Sequence, residues 1–217
     1  MSSEGSPTTL GGVSGGHTAE ALARGRGARK SPKVRRADIL ASARRVFEER
    51  GYVESGVAEV AKSAQVSKSL LYHYFPGGRP QLFVRVIDDL VEELTDELRR
   101  AARVPFSPQA RMTHLLSAIF TFFGEKPAAY RLLFRDPAVS HEPDVESAAL
   151  TARATIAGEL AVVLAESDLA PHDVVAASSG ILGFALSNVE LCLAGRLEPE
   201  HAWQVSCAFC LPPLATP

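Results

Sequence analysis

Apolar residues recur along this chain at spacings of three and four, and no run alternates apolar and polar with period two. Ile39, Ala43, Val46 and Phe47 share one face of a helix predicted from about Arg35 to Arg50, with Gly51 as the residue that ends it. Val57, Val60 and Ala61 give a second, short helix one buried face, and the small Ala61 lets another helix cross closely over it. Gln65-Val66-Ser67 reads as a tight turn, with Val66 plugging the core and Ser67 placed to cap a third helix, Lys68 to Tyr74, whose Leu71 turns inward. Pro76-Gly77-Gly78 breaks the pattern. A long helix from Pro80 to about Ala102 then buries Phe83, Val86, Ile87, Leu90, Leu94 and Leu98, and at 1.5 Å per residue it is roughly 34 Å long.

After a break at Val104-Pro105-Phe106, Ser107-Pro108 carries the Ser cap and first-turn Pro of a new helix, apolar on most sides through Leu115, Leu116, Ile119, Phe120, Phe122 and Phe123. Lys126-Pro127 restarts the chain into a short helix that ends at Asp136-Pro137. A mobile segment around His141-Glu142-Pro143 leads to a helix marked by Val145, Ala149, Ala152, Ile156, Leu160 and Val163. Pro171 opens a helix to about Gly195 in which Glu190 is the one charge after Ala176. That stretch is long enough to span a bilayer, but Asn188 and Glu190 interrupt it. Ser179, Gly183 and Ser187 also form a small-residue stripe that admits another helix. A helix apolar nearly all round must be covered on several sides. The last helix, Pro199 to about Leu211, offers Ala202, Val205 and Phe209 and stops at Pro212-Pro213. This helix pair is expected to pack against its copy in a second subunit as a four-helix bundle, with Ser179, Gly183, Ser187, Val205 and Phe209 at the interface. The plainer alternative is an ordinary monomer core.

The expected fold class is therefore all-α. Charge divides it. Residues 1–80 carry 13 Lys and Arg against 7 Asp and Glu, and the remainder carries 10 against 18. A basic first third on an acidic body suits a nucleic-acid-binding head. Residues 1–32 read as a disordered arm with a basic end that includes Arg24, Arg26, Arg29 and Lys30; such an arm can follow a phosphate backbone or serve only as a solvated tail. The carboxylates from Asp88 to Glu97 read as a solvated face rather than a metal site. His141, Glu142 and Asp144 read as an incidental cluster. Cys192, Cys207 and Cys210 make no disulfide framework, and C-x-x-C inside an amphipathic helix reads as small buried residues. No secretory signal is visible, and the free thiols suit the cytoplasm. No phosphate-binding Gly loop, H-E-x-x-H or G-x-S-x-G is present. No catalytic role, cofactor or metal is expected.

Two short helices around a tight turn, the second presenting Lys68, Ser69, Tyr72 and His73, fit a helix-turn-helix recognition helix lying in a major groove. The string VSKSLLYHYF, preceded by ILASARRVFEERGY and followed by FPGGRPQLF, resembles the tetracycline-repressor (TetR) family of bacterial transcriptional regulators. The resemblance covers roughly the first helical domain. The chain departs from the family pattern at Gln65, where Gly is usual and a left-handed turn costs about 1 kcal/mol. It departs also at Ser69-Leu70, at Gly56 and at Ala58, where many members carry a base-contacting Arg. The resemblance implies a three-helix DNA-binding domain at 33–79 and a helical ligand-binding and dimerisation domain at 80–217, joined by the helix 80–102 as a lever.

On that basis Lys68, Ser69 and Tyr72 are expected at bases or deep in the groove, and Ser55, Ser67, His73, Tyr74 and Arg79 at phosphates. Ser55 is also the favoured cap of the second helix. Phe120, Phe123, Tyr130, Phe134, Phe184 and Asn188 are expected to line a pocket for a lipophilic effector. The expected partners are double-stranded DNA carrying an inverted repeat, a second copy of the chain and a small molecule, with no membrane. The expected action is repression relieved by the ligand, through a shift of the lever helix. A second reading, a helical small-molecule binder or enzyme with a vestigial helix-turn-helix, rests on Gly56, Ala58 and Leu70 alone.

Overall fold

Helix α1 spans Pro32–Arg50, α2 Val57–Ser63, α3 Lys68–Tyr74 and α4 Gly78–Ala102. Next come α5 (Pro108–Glu125), α6 (Pro127–Tyr130), a π-helical turn (Arg131–Arg135) and a 3-10 turn (Pro137–Val139). The order closes with α7 (Pro143–Leu164), α8 (Pro171–Leu193) and α9 (Pro199–Cys210). The computed structural model describes residues 31–103 and 107–210, and no strand occurs among them. The basic arm through Lys30, the break at Val104-Pro105-Phe106 and the stop at Pro212-Pro213 lie outside the described residues. Contacts divide the chain between Arg35 and Arg36.

Helix α1 starts three residues before the expected Arg35. The Ser31 hydroxyl accepts from the Val34 N–H at 3.3 Å, and Pro32 follows at the first helical position. The same Ser-Pro signal opens α5, where the Ser107 hydroxyl accepts from the Ala110 N–H at 3.3 Å. Helix α4 starts two residues early because Gly78 takes a left-handed φ of 62°, which turns the chain directly from α3 into the next helix.

From α1 through α8 the buried apolar residues form one continuous core. Helix α4 packs most extensively on α7, and α7 on α8; α5 lies against α4 and α9 against α8. The six apolar residues expected to be buried on α4 are all buried, and Leu82 and Thr95 join them. Phe47 of α1, Tyr52 of the following turn and Phe83 of α4 pack ring on ring, with centroids 5.0 Å apart for Phe47–Phe83 and 4.6 Å for Tyr52–Phe83. Tyr52 is buried, whereas its neighbour Val53 is exposed. By length and composition, α7 and α8 are each apolar enough to cross a bilayer. Each buries one side here, α7 through Ile156 and Leu160 and α8 through Leu182 and Ala185.

Arg44 of α1 reaches Glu93 of α4 and its own neighbour Glu48, and Lys126 meets the same Glu93 at 2.9 Å. The Arg44 guanidinium, aided by Lys126, holds the Glu93 carboxyl below its ordinary pKa. Three further carboxylates of α4 pair along their own helix, Asp88 with Arg85 at 3.2 Å, Asp96 with Arg99 at 3.2 Å and Glu97 with Arg100 at 2.6 Å.

Candidate nucleic-acid interface

Helices α2 and α3 meet across a turn whose pivot is Gln65, in the left-handed region at φ 54°. The Val66 N–H reaches back to the Ala61 carbonyl at 2.9 Å, and the Val66 side chain packs partly buried against the core. Ser67 caps α3 by accepting from the Leu70 N–H at 3.1 Å. Leu71 is buried, which fixes which side of α3 faces outward. Lys68, Ser69, Tyr72 and His73 are all exposed on it, and Tyr72 is 47% exposed. Tyr74 is half-buried, its ring set edge-on to His73 at 5.3 Å. The outer side of α3 thus carries one ammonium, one hydroxyl, one phenol and one imidazole, all able to donate to phosphates or base edges.

Gly78 orients one member of that set. A Cβ there would lie 3.2 Å from Tyr72 Cε1, so the phenol ring rests directly against the glycine. The substitution Gly78→Ala is therefore expected to strain the backbone by about 1 kcal/mol and to push the ring aside. The melting temperature should fall by about 2–4 °C for a chain this size. An unchanged melting curve would show that the left-handed turn is not strained by a side chain.

One expected phosphate contact, Ser55, is corrected. Ser55 does not cap α2: Gly56 occupies that position, and the Glu59 carboxylate accepts from its N–H at 2.7 Å. Ser55 is fully buried, and its hydroxyl donates to the Gly51 carbonyl at 2.5 Å, which closes the connection after α1 and removes it from any phosphate. Arg79 keeps 32% of its side chain exposed and also has partners within the protein. Its guanidinium lies over the Tyr52 ring at 4.3 Å and sits 3.7 Å from the Glu142 carboxylate, just before α7. That pairing also explains Glu142 without a metal, and no metal-binding group of His, Cys, Asp or Glu occurs among the described residues.

The expected effector residues divide into two places. Phe123, Tyr130 and Phe134 pack on one another with ring centroids 5.3–5.8 Å apart. Phe123 and Tyr130 are buried, so they fill core, while Phe120 is half-buried against it. Phe134 opens onto a cleft of about 310 Å³ shared with Leu133, Pro137, Ala138, Leu150 and Arg153. Phe184 is instead stacked on Phe209 of α9, with centroids 4.4 Å apart and planes 12° from parallel. Asn188 is buried and donates from its amide to the Ser206 hydroxyl at 3.0 Å, tying α8 to α9. Both side chains belong to the α8–α9 pair because each has a partner on α9.

Ser179, Gly183 and Ser187 lie exposed along α8, and a Cβ at Gly183 would meet nothing within 4 Å. On α9 the expected common face is split. Ala202 is buried, while Val205 is 36% and Phe209 69% exposed. The buried strip runs through Ala202 and the polar Ser206, which apolar periodicity could not mark.

Sequence reasoning missed a set of charged residues around the π-helical turn. Arg131 and Asp136 contact the end of α1 and the turn after it. Burial pushes the Asp136 carboxyl up from its ordinary value, against the opposing pull of the Tyr52 N–H and Arg131. Tyr130 and Arg135 both meet Glu190 of α8, at 3.1 and 2.5 Å. Burial pushes the Tyr130 phenol up to about 12, so it stays a donor to that carboxylate.

Residues 39–86 match the tetR family of bacterial regulatory proteins. The chain is 34% identical over 120 residues to the HTH-type transcriptional activator FasR of Mycolicibacterium smegmatis, covering 55% of this chain and 54% of that one. It is 33% identical over 107 residues to the HTH-type transcriptional regulator EthR of the same organism, covering 49% of each. The chain thus spans about half the length of each relative. Among solved structures, a TetR-like transcriptional regulator from Rhodococcus sp. RHA1 superposes with a TM-score of 0.65 at 23% identity, over 84% of this chain and 96% of the other. The fatty acid degradation regulator FadR from Bacillus halodurans superposes with a TM-score of 0.68 at 16% identity, over 87% of this chain and all (100%) of that one. The two superpositions establish a shared all-helical fold. The likeness to the tetR family of bacterial regulatory proteins is thus carried by residues 39–86, which run from within α1, through the capped turn and the outward set on α3, into α4.

Proposed function

We propose that the chain is a ligand-responsive, sequence-specific DNA-binding regulator that acts as a homodimer on an inverted repeat. The observation that carries this reading is the outer side of α3, where Lys68, Ser69, Tyr72 and His73 stand exposed above a buried Leu71. A two-fold dimer would set two such helices in successive major grooves, roughly 34 Å apart. Residues 33–79 act as the DNA-binding head and 80–217 as the body, with α4 as the lever between them.

Dimerisation through α8 and α9 is supported by the exposed stripe Ser179, Gly183 and Ser187 and by the Phe209 ring that stacks on Phe184. The effector reading is supported by the cleft at Phe134, whose lining of Leu133, Pro137, Ala138 and Leu150 favours a lipophilic molecule. The action is repression relieved by that molecule, in a cytoplasmic setting. FasR is named an activator, so the direction of regulation is read by placing the selected site upstream of a reporter and comparing expression with and without the protein.

The test is selection of random-sequence DNA by the purified protein at about 150 mM salt, where non-specific phosphate binding is weakened. An enriched inverted repeat is the expected result. The pair Lys68→Ala and Tyr72→Ala should remove the enrichment, because each lost groove contact costs about 1–3 kcal/mol of discrimination. Folding and dimerisation should be unchanged, since both side chains are exposed. Folded, dimeric wild-type protein that enriches nothing would move the assignment to a helical ligand binder with a vestigial head.

A further inference from the structure

The connection from α1 to α2 lacks the hydrogen bond that one more residue of helix would have made. That bond would run from the Tyr52 N–H to the Glu48 carbonyl. Both ends are instead taken by side chains more than 80 residues away in the chain. Arg131 Nη2 donates to the Glu48 carbonyl at 2.8 Å and to the Phe47 carbonyl at 2.9 Å. Asp136 Oδ2 accepts from the Tyr52 N–H at 2.8 Å. Asp136 is buried, at 8% exposure, and its other oxygen lies 3.7 Å from Arg131 Nε. Gly51 makes the approach possible: it sits at φ 80°, and a Cβ there would be 3.2 Å from Asp136 Oδ2.

The π-helical turn is what brings this pair of side chains to one place. The Asp136 N–H bonds the Arg131 carbonyl at 2.9 Å, a separation of five residues. In an α-helix, side chains five apart point about 140° away from each other. In the wider π-helical turn the angle closes to about 50°, and both side chains reach the end of α1. The same short segment is held on another side by α8, where Glu190 accepts from Tyr130 at 3.1 Å and from Arg135 at 2.5 Å. One turn thus connects the helix with the exposed small-residue stripe to the base of the helix-turn-helix. This connection is separate from the covalent path through α4.

We infer that Arg131 and Asp136 are positioning residues for DNA binding: they fix the helix-turn-helix relative to α8, and so set the distance between the two recognition helices of a dimer. This role rests on the regulator reading given above. It concerns where the head is held, so it bears on paired half-sites far more than on one. With the hold removed, each head still reads its own half-site while the preferred separation is lost.

The experiment measures binding of full-length dimeric protein to one selected half-site and to a series of paired half-sites that differ only in spacer length. The wild type should favour one spacer strongly. Asp136→Ala should flatten that preference by about tenfold or more, within the range of ordinary coupling between sites, and leave single half-site affinity unchanged. Asp136→Asn keeps an oxygen that can accept from the Tyr52 N–H and should restore the preference. Arg131→Ala supplies a second variant and should flatten the profile in the same way if Asp136→Ala does not fold. A wild-type spacer preference that survives unchanged in the folded variants would overturn this role and leave the regulator reading intact. Equal loss on single and paired half-sites, at unchanged preference, would also overturn it, because that is the signature of a general loss of folded protein. Wild-type protein that binds without any spacer preference would overturn the regulator reading and this role together.

Discussion

Phe83→Ala should lower the stability of the chain by about 3–5 kcal/mol, the usual cost of deleting a fully buried aromatic ring. The ring is fully buried and lies edge-on to Phe47, with Tyr52 packed beside it. Removing it leaves a void among α1, the turn after it and α4, and none of the three can collapse alone. The Tyr52 backbone is held by Asp136, and Phe47 forms the C-terminal end of the α1 buried face. The melting temperature should therefore fall by about 6 °C or more, at roughly 2–4 °C per kcal/mol. Phe83→Leu, closer in volume, should cost less than half as much. A fall of only a degree or two in the alanine variant would show that the three rings do not form the cohesive joint between α1 and α4.

Gly183→Arg should have effects of opposite sign on the monomer and on its assembly. A side chain at this position meets nothing within 4 Å, so the isolated chain has room for it. Glycine inside a helix costs about 1 kcal/mol relative to good helix formers, so arginine should stabilise α8 itself. A dimer that uses the exposed stripe Ser179, Gly183 and Ser187 must bring a second helix close to this position, and a guanidinium there forbids it. Sedimentation velocity should show the wild type as a dimer and the variant as a monomer that unfolds at no lower temperature than a dissociated wild type. The variant should also lose binding to paired half-sites. A variant that sediments as a dimer would place the subunit contact elsewhere.

The helices were legible because their signals are local. Ser107-Pro108, the Gln65 turn and the Ser67 cap each concern groups within four residues of one another, and each is found as expected. The early start of α1 at Pro32 used the same Ser-Pro signal and was readable on the same grounds. Ser55 misled because a serine beside a helix start suits a cap. Its hydroxyl is bound instead to the Gly51 carbonyl of the preceding turn, whose geometry becomes clear only once Tyr52 is buried. Arg131 and Asp136 gave no local signal, since their partners are 83–84 residues away. The five-residue turn that brings them together looks like an ordinary helix in the sequence. Phe184 and Asn188 were expected in a pocket on the strength of the family resemblance, together with the other aromatic candidates. Their partners, Phe209 and Ser206, could be assigned only once α9 was laid against α8.

The ion pairs that join Arg44, Glu93 and Lys126 carry a consequence for how affinity responds to electrolyte. These groups are only partly covered, with 25–42% of each side chain exposed, so added salt weakens their attraction as well. Release of counterions from DNA alone makes the logarithm of affinity fall linearly with the logarithm of salt. A protein whose α1 is tied to α4 by screened charges should depart downward from that line as salt rises, because the hold on the head loosens while the phosphate contacts weaken. The curvature, rather than the slope, would then report the internal network. Replacing Arg44 and Glu93 together by methionine and leucine should straighten the plot without changing its initial gradient.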